Sequence, residues 1–150
     1  MIEERLTELG IELPSAPAAI AAYIPVRVVG RLAYVSGQVP LVDGERLHPG
    51  KLGDTVTIEQ GAEAARRCAL QALSALRAAL GSLDVVTGIV QVTAFVASGT
   101  GFTDQPKVAN GASELLVEVF DEAGRHSRVA VGVAELPLGV PVELAVIAEL

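Results

Sequence analysis

Two β-branched runs near the C-terminal end constrain the fold more than any other part of the sequence. They are Ser127-Arg128-Val129-Ala130-Val131-Gly132-Val133-Ala134-Glu135-Leu136-Pro137 and Val142-Glu143-Leu144-Ala145-Val146-Ile147-Ala148. They predict two strands joined by the Pro/Gly-rich connection Leu136-Pro137-Leu138-Gly139-Val140-Pro141. Both runs are apolar at both parities, so both faces of the sheet they enter must be covered. Each also carries a charge near its start, Arg128 in the first and Glu143 in the second. A charge inside an apolar strand must be paired, reach water at the strand end or hold a ligand, because burying it alone costs several kcal/mol. Arg128 and Glu143 are therefore the first candidate site residues.

Upstream, residues 3 to 9 predict a short helix ending at Gly10, and Pro14, Pro17 and the alanines form a leader toward Tyr23. Val26 to Gln38 predicts a β-hairpin turning at Gly30-Arg31. From Val39 to Asp54, with Pro40, Asp43-Gly44, Pro49-Gly50 and Gly53, an irregular excursion is expected, of the kind that often borders a site. Thr57-Ile58-Glu59-Gln60 has capping-box spacing. A helix of about six turns follows from it, with Ile58, Ala62, Ala65, Ala69, Ala72, Leu76 and Leu80 as its apolar stripe and Gly81 as its stop. Val85 to Ala97 predicts a long strand with Val90, Val92, Ala94 and Val96 on one side and Gln91, Thr93 and Phe95 on the other. A second helix starts near Thr103 or Asp104, tolerates Pro106 in its first turn and ends at Gly124. Its stripe is Val108, Ala112, Leu115, Leu116, Val119 and Phe120. The order β-β-α-β-α-β-β suggests an α+β fold with both helices on one face of a mainly antiparallel or mixed sheet. Two helices cover one face only, so a homo-oligomer that buries the other is expected.

At 150 residues, 51% of them hydrophobic, the chain has the size and core material of one domain, 1–150. Acidic residues outnumber basic ones 18 to 11, and Arg66-Arg67 is the only concentrated basic pair, which argues against a nucleic-acid partner. With aromatics at 3% and no Trp, stacking platforms are also poorly supplied. One cysteine, Cys68, excludes an internal disulfide framework and a cysteine-rich metal site, and His48 and His126 have no ligand pattern around them, so no metal is expected. The charged Met1-Ile2-Glu3-Glu4-Arg5 start does not resemble a signal peptide, and no apolar run reaches the length of a membrane span. A cytoplasmic location, away from any membrane, is the default.

Among chemistry-bearing motifs, Gly99-Thr100-Gly101 precedes a helix but lacks the third glycine and the acidic follow-on of a dinucleotide fingerprint. Ser36-Gly37 at a strand end presents either a hydroxyl and a backbone amide or simply a turn. Cys68 falls between the apolar and charged faces of its helix with no histidine beside it, and reads as packing. Arg128 and Glu143 form either a site or a strand-end ion pair, and spacing does not separate these. Arginine suits the site, because its planar fork binds a carboxylate through two hydrogen bonds and stays charged at any working pH.

Ser15-Ala16-Pro17-Ala18-Ala19-Ile20-Ala21-Ala22-Tyr23, Tyr34-Val35-Ser36-Gly37-Gln38-Val39-Pro40 and the Arg128 to Ala148 block together resemble the Rid family, also called YjgF-like, nearly end to end. The resemblance implies a chorismate-mutase-like fold and a homotrimer whose sheets form a central barrel, with ligand sites in clefts between subunits. It also implies that Arg128 grips a substrate carboxylate, that Glu143 places or activates water, and that Tyr23, Ser36, Gly37 and Asn110 line the cleft. The implied reaction is cofactor-independent hydrolysis of 2-aminoacrylate-type enamines, or their imine tautomers, to a 2-oxo acid and ammonia. Two features depart from the family pattern. Ala130 stands where cysteine is common, which excludes a cysteine-dependent side activity, and the segment around residues 41 to 54 and the N-terminal leader are extended. A non-catalytic module that binds a small carboxylate such as a 2-oxo acid and regulates a partner is the alternative; it would keep Arg128 without requiring Glu143. A third reading, an endoribonuclease or translation inhibitor, conflicts with the acidic charge and scarce aromatics.

Overall fold

The computed structural model describes residues 1–18 and 21–150; Ala19 and Ile20, part of the leader motif quoted above, lie outside the described residues. In chain order the elements are α1 (Ile2–Glu8), β1 (Val26–Val29), β2 (Leu32–Gln38), β3 (Leu41–Val42), β4 (Glu45–Arg46), α2 (Ile58–Leu80), β5 (Gly88–Ala97), α3 (Gln105–Phe120), β6 (Ser127–Val133) and β7 (Val142–Glu149). Five strands form one mixed sheet in the order β1-β2-β7-β5-β6. All its pairings are antiparallel except β5 with β6, whose parallel register needs the crossover that α3 supplies. Both long helices pack on the same face, α2 against β1, β2 and β7 and α3 against β5 and β6. The α+β arrangement expected from the sequence is the one observed.

The Thr57 hydroxyl accepts from the Gln60 backbone N–H while the Gln60 side chain accepts from the Thr57 N–H, so the capping box forms on both sides. At the other end of α2, Gly81 adopts φ 85 as the left-handed stop. The buried arc of α2 is broader than the predicted stripe. Gly61, Ala64, Cys68, Leu73 and Ala75 are buried with Ala65, Ala69, Ala72 and Leu76, whereas Ile58, Ala62 and Leu80 are only partly covered. Small residues let the helix lie close to both the sheet and α3, which widens the covered arc.

Three segments differ from expectation for local reasons. Within the excursion 39–54, β3 and β4 form a two-stranded ribbon across Asp43-Gly44, whose φ values of 51 and 81 are those of a tight hairpin turn. The strand expected from Val85 begins at Gly88, because Leu83–Val85 form a 3-10 turn whose start Ser82 caps by accepting from the Asp84 N–H. A bulge between Ile89 and Gln91 then turns Val90 outward, so that Ile89, not Val90, joins Val92, Ala94 and Val96 beneath the helices. The second helix ends at Phe120, and Gly124 closes a 3-10 turn, Asp121–Gly124, that follows it.

The face turned away from the helices carries Tyr34, Thr93, Phe95, Val129, Val131 and Ile147, by strand parity and register. Among the described residues nothing covers it: Tyr34, Val129 and Val131 are 42%, 43% and 41% exposed.

Candidate active site

Glu143, the second residue of β7, points to this open face, opposite Phe95. Beside it, β2 is interrupted: Ser36 and Gly37 together face the single residue Ala145, a bulge between the Val35–Val146 and Gln38–Leu144 pairs. The bulge puts Gly37 against Glu143 so closely that any Cβ on Gly37 would collide with Oε1 of the carboxylate. Ser36 Oγ donates to the carbonyl of Ile24 at 2.7 Å, which leaves its lone pairs to face a ligand. Tyr23, Ser36 and Gly37 line a cavity of about 160 Å³ with Pro17, Gln38 and Gln71. Glu143 is half-buried, and loss of hydration raises its carboxyl pKa above the usual carboxylate value.

Arg128, the second residue of β6, stands on the other face. It is in register with Val92 and thus with Val146, both beneath the helices. Its Nη1 donates to Asn110 Oδ1 at 2.8 Å and to Ser113 Oγ at 3.1 Å, both on α3. Ser113 Oγ is 2.9 Å from Nε2 of His126, whose Nδ1 is 2.6 Å from the carbonyl oxygen of Gly124. Among the described residues nothing accepts from Nε or Nη2 of Arg128, so one edge of the guanidinium fork, the geometry that receives a carboxylate, remains open. Burial lowers the pKa of His126 below the ordinary histidine value; the Gly124 carbonyl opposes that shift and the positive charge of Arg128 adds to it.

The predicted residues thus fall into two groups. Tyr23, Ser36, Gly37 and Glu143 gather around the β2 bulge, and Arg128 gathers with Asn110 on α3. Arg128 and Glu143 lie two strands apart and three residues out of register, about 14 Å between Cα atoms and on opposite faces. They make no ion pair with each other within the chain. Ser113 and His126 carry no sequence motif that marks them as site residues: Ser113 sits in an amphipathic helix where a half-covered hydroxyl gives no pattern, and His126 has no ligand pattern around it. The place of His126 two residues before an arginine on the same strand entry was the available signal. Cys68 proves to be fully buried rather than at the edge of its helix face. Its thiol lies 3.7 Å from the Val142 carbonyl, and burial, then the nearby Glu143 charge, push its pKa up, so the reactive thiolate is disfavoured. Among the described residues no cluster of His, Cys, Asp or Glu could hold a metal ion, and no helix is long and apolar enough to cross a membrane.

Residues 3–150 match the family described as "YjgF/chorismate mutase-like, putative endoribonuclease". The chain is 46% identical over 150 residues to Protein TCP17 of Trypanosoma cruzi, covering 99% of this chain and 94% of that one. It superposes with a TM-score of 0.91 and 42% identity on the crystal structure of Atu1372, a protein of unknown function from Agrobacterium tumefaciens, covering 99% of this chain and 92% of that one. It is also similar to TdcF of E. coli, solved with bound serine, at TM-score 0.63 and 25% identity over 92% of this chain and 97% of that one.

Proposed function

The chain belongs to the YjgF/chorismate-mutase-like family, and from that premise we propose that it hydrolyses small enamine and imine intermediates of the 2-aminoacrylate type to a 2-oxo acid and ammonia, without a cofactor. The observation that carries this reading is the guanidinium of Arg128: Nη1 is held by Asn110 and Ser113 while the Nε–Nη2 edge is open to a carboxylate. The enamine first takes a proton at carbon and gives one up from nitrogen to the solvent, becoming its imine tautomer. Water adds to the electrophilic imine carbon as Glu143 removes its proton, and the same group returns that proton to the nitrogen. The carbinolamine then loses ammonia and leaves the 2-oxo acid. Orientation by the clamp and one proton-transfer group suffice for this chemistry, and the raised pKa of Glu143 suits a group that must take and return a proton.

Arg128 and Glu143 cannot reach one ligand within a chain, so the site is composite. The bulge with Glu143 lies toward the β1–β2 side of the sheet and Arg128 on the opposite edge strand. Arg128 of one protomer therefore meets Tyr23, Ser36, Gly37 and Glu143 of the next, in a homotrimer whose open sheet faces turn inward and are buried as a barrel. The ligand is a small carboxylate-bearing imine, enamine or 2-oxo acid. The structure of TdcF with bound serine supports a small amino-acid-like ligand but accords equally with a non-catalytic carboxylate sensor.

Coupling a serine dehydratase to the protein, with semicarbazide as a competing trap, separates the two. The enzyme increases pyruvate at the expense of the semicarbazone, Glu143→Gln lowers this by at least about tenfold with a smaller change in pyruvate affinity, and Arg128→Ala abolishes both. Arg128→Lys recovers little, because an ammonium cannot reproduce two parallel hydrogen bonds. Pyruvate binding with no effect on the partition, across several amino-acid precursors, establishes the sensor.

A further inference from the structure

We propose that His126 is a positioning residue for the carboxylate clamp, acting through Ser113 to fix the Arg128 guanidinium with its open edge toward the ligand. The proposal rests on the reading of Arg128 as that clamp. A carbonyl oxygen can only accept, so the 2.6 Å contact between His126 Nδ1 and Gly124 places a proton on Nδ1. In the neutral ring Nε2 then carries a lone pair, and at 2.9 Å it accepts the Ser113 hydroxyl proton. With its only proton directed at the histidine, Ser113 Oγ turns lone pairs toward Arg128 Nη1 at 3.1 Å, while Asn110 Oδ1 takes the second Nη1 proton at 2.8 Å. One arrangement satisfies both Nη1 protons of Arg128, the Ser113 hydroxyl and the His126 Nδ1–H, and it runs from Arg128 through Ser113 and His126 to the Gly124 backbone.

A free arginine side chain loses considerable rotamer freedom when it binds a ligand, and an arginine already held at one nitrogen loses less. The histidine therefore acts on affinity and not on the chemical step. It lies on the helix side of the sheet, away from Glu143, and touches the ligand only through two intermediaries. Phenylalanine in its place keeps the ring volume and removes both hydrogen bonds. Glutamine keeps an acceptor close to the Nε2 position.

Pyruvate titrated calorimetrically into the wild-type protein, His126→Phe, His126→Gln, Ser113→Ala and Arg128→Ala, with a thermal melt and the coupled turnover assay on each, tests this. His126→Phe and Ser113→Ala should each weaken pyruvate about tenfold, raise KM in parallel and leave kcat within about twofold. The double variant should be no weaker than either single one, and His126→Gln should recover most of the affinity. In the nitrogen NMR spectrum His126 should appear as the Nδ1–H tautomer. Folded His126→Phe with unchanged pyruvate affinity, while Arg128→Ala abolishes binding, overturns the role of His126 and leaves the clamp standing. An effect on kcat alone, or an Nε2–H tautomer, overturns it too. Unchanged affinity in Arg128→Ala removes the clamp itself and this proposal with it. Should His126→Phe fail to fold, the same thresholds apply to Ser113→Ala.

Discussion

Gly37 has no room for a side chain because the Glu143 carboxylate occupies the space where one would begin. The obstructing atom is the far end of a flexible side chain, so Gly37→Ala should fold with little change in melting temperature while Glu143 swings aside. Turnover should fall by about tenfold or more with pyruvate affinity much less affected, measured in the coupled assay and by calorimetry. Cys68 stands close to the same carboxylate but fully buried, with its thiolate disfavoured. Cys68→Ser and Cys68→Ala should keep activity within about threefold; a loss beyond about tenfold in a folded variant would assign it chemistry. The charged candidates were identifiable because Arg128 and Glu143 interrupt apolar runs, and the cleft residues because they form part of a family pattern. What one-dimensional spacing hid was their division between two faces. A strand places neighbours by parity, but the relation between two strands depends on register and order, and the Ser36–Gly37 bulge shifts register beside the proposed site.

The two long helices approach each other through Gly111 of α3, where a Cβ would press on the backbone carbonyl of Ala62 in α2. Backbone cannot move aside as a side chain can. Gly111→Ala should therefore destabilise the protein by about 1–3 kcal/mol, the usual cost of overpacking, as measured by urea denaturation at fixed protein concentration. Helices were the readable elements: the Thr57–Gln60 box and the 3.6-residue recurrence of apolar positions located α2 and the start of α3 to within a residue or two, whereas the stop expected at Gly124 lies one 3-10 turn beyond the end of α3 at Phe120. Strand detail was less accessible. Alternation predicted Val90 as inward, and a one-residue bulge reversed it. The β3–β4 ribbon was missed although Asp43-Gly44 is a strong hairpin dipeptide, because only two residues pair on each side and such short runs show no alternation.

The two halves of the proposed site lie toward opposite sides of the sheet, and the proposed head-to-tail ring is an assembly that would join them. Light scattering coupled to sizing should give three times the 15.5 kDa chain mass, and a monomer that binds no hydrophobic dye would contradict both the exposed sheet face and the ring. Mixing is a sharper test. Arg128→Ala and Glu143→Gln, the first inactive and the second strongly impaired alone, should gain activity above either when unfolded together and refolded at equal amounts. Random association leaves about a quarter of the junctions with both native residues. No recovery in refolded mixed trimers would place the complete site within one chain. The strand order carries one more consequence, for how the molecule forms. The central strand β7 is the last of the described strands in sequence, and it zips β2, more than a hundred residues earlier, to β5. Until it arrives, two half-sheets have unsatisfied inner edges and nothing to join them. Folding must therefore be late, cooperative and slow for the chain's size, and a nascent or truncated chain without β7 exposes two sticky strands that invite aggregation.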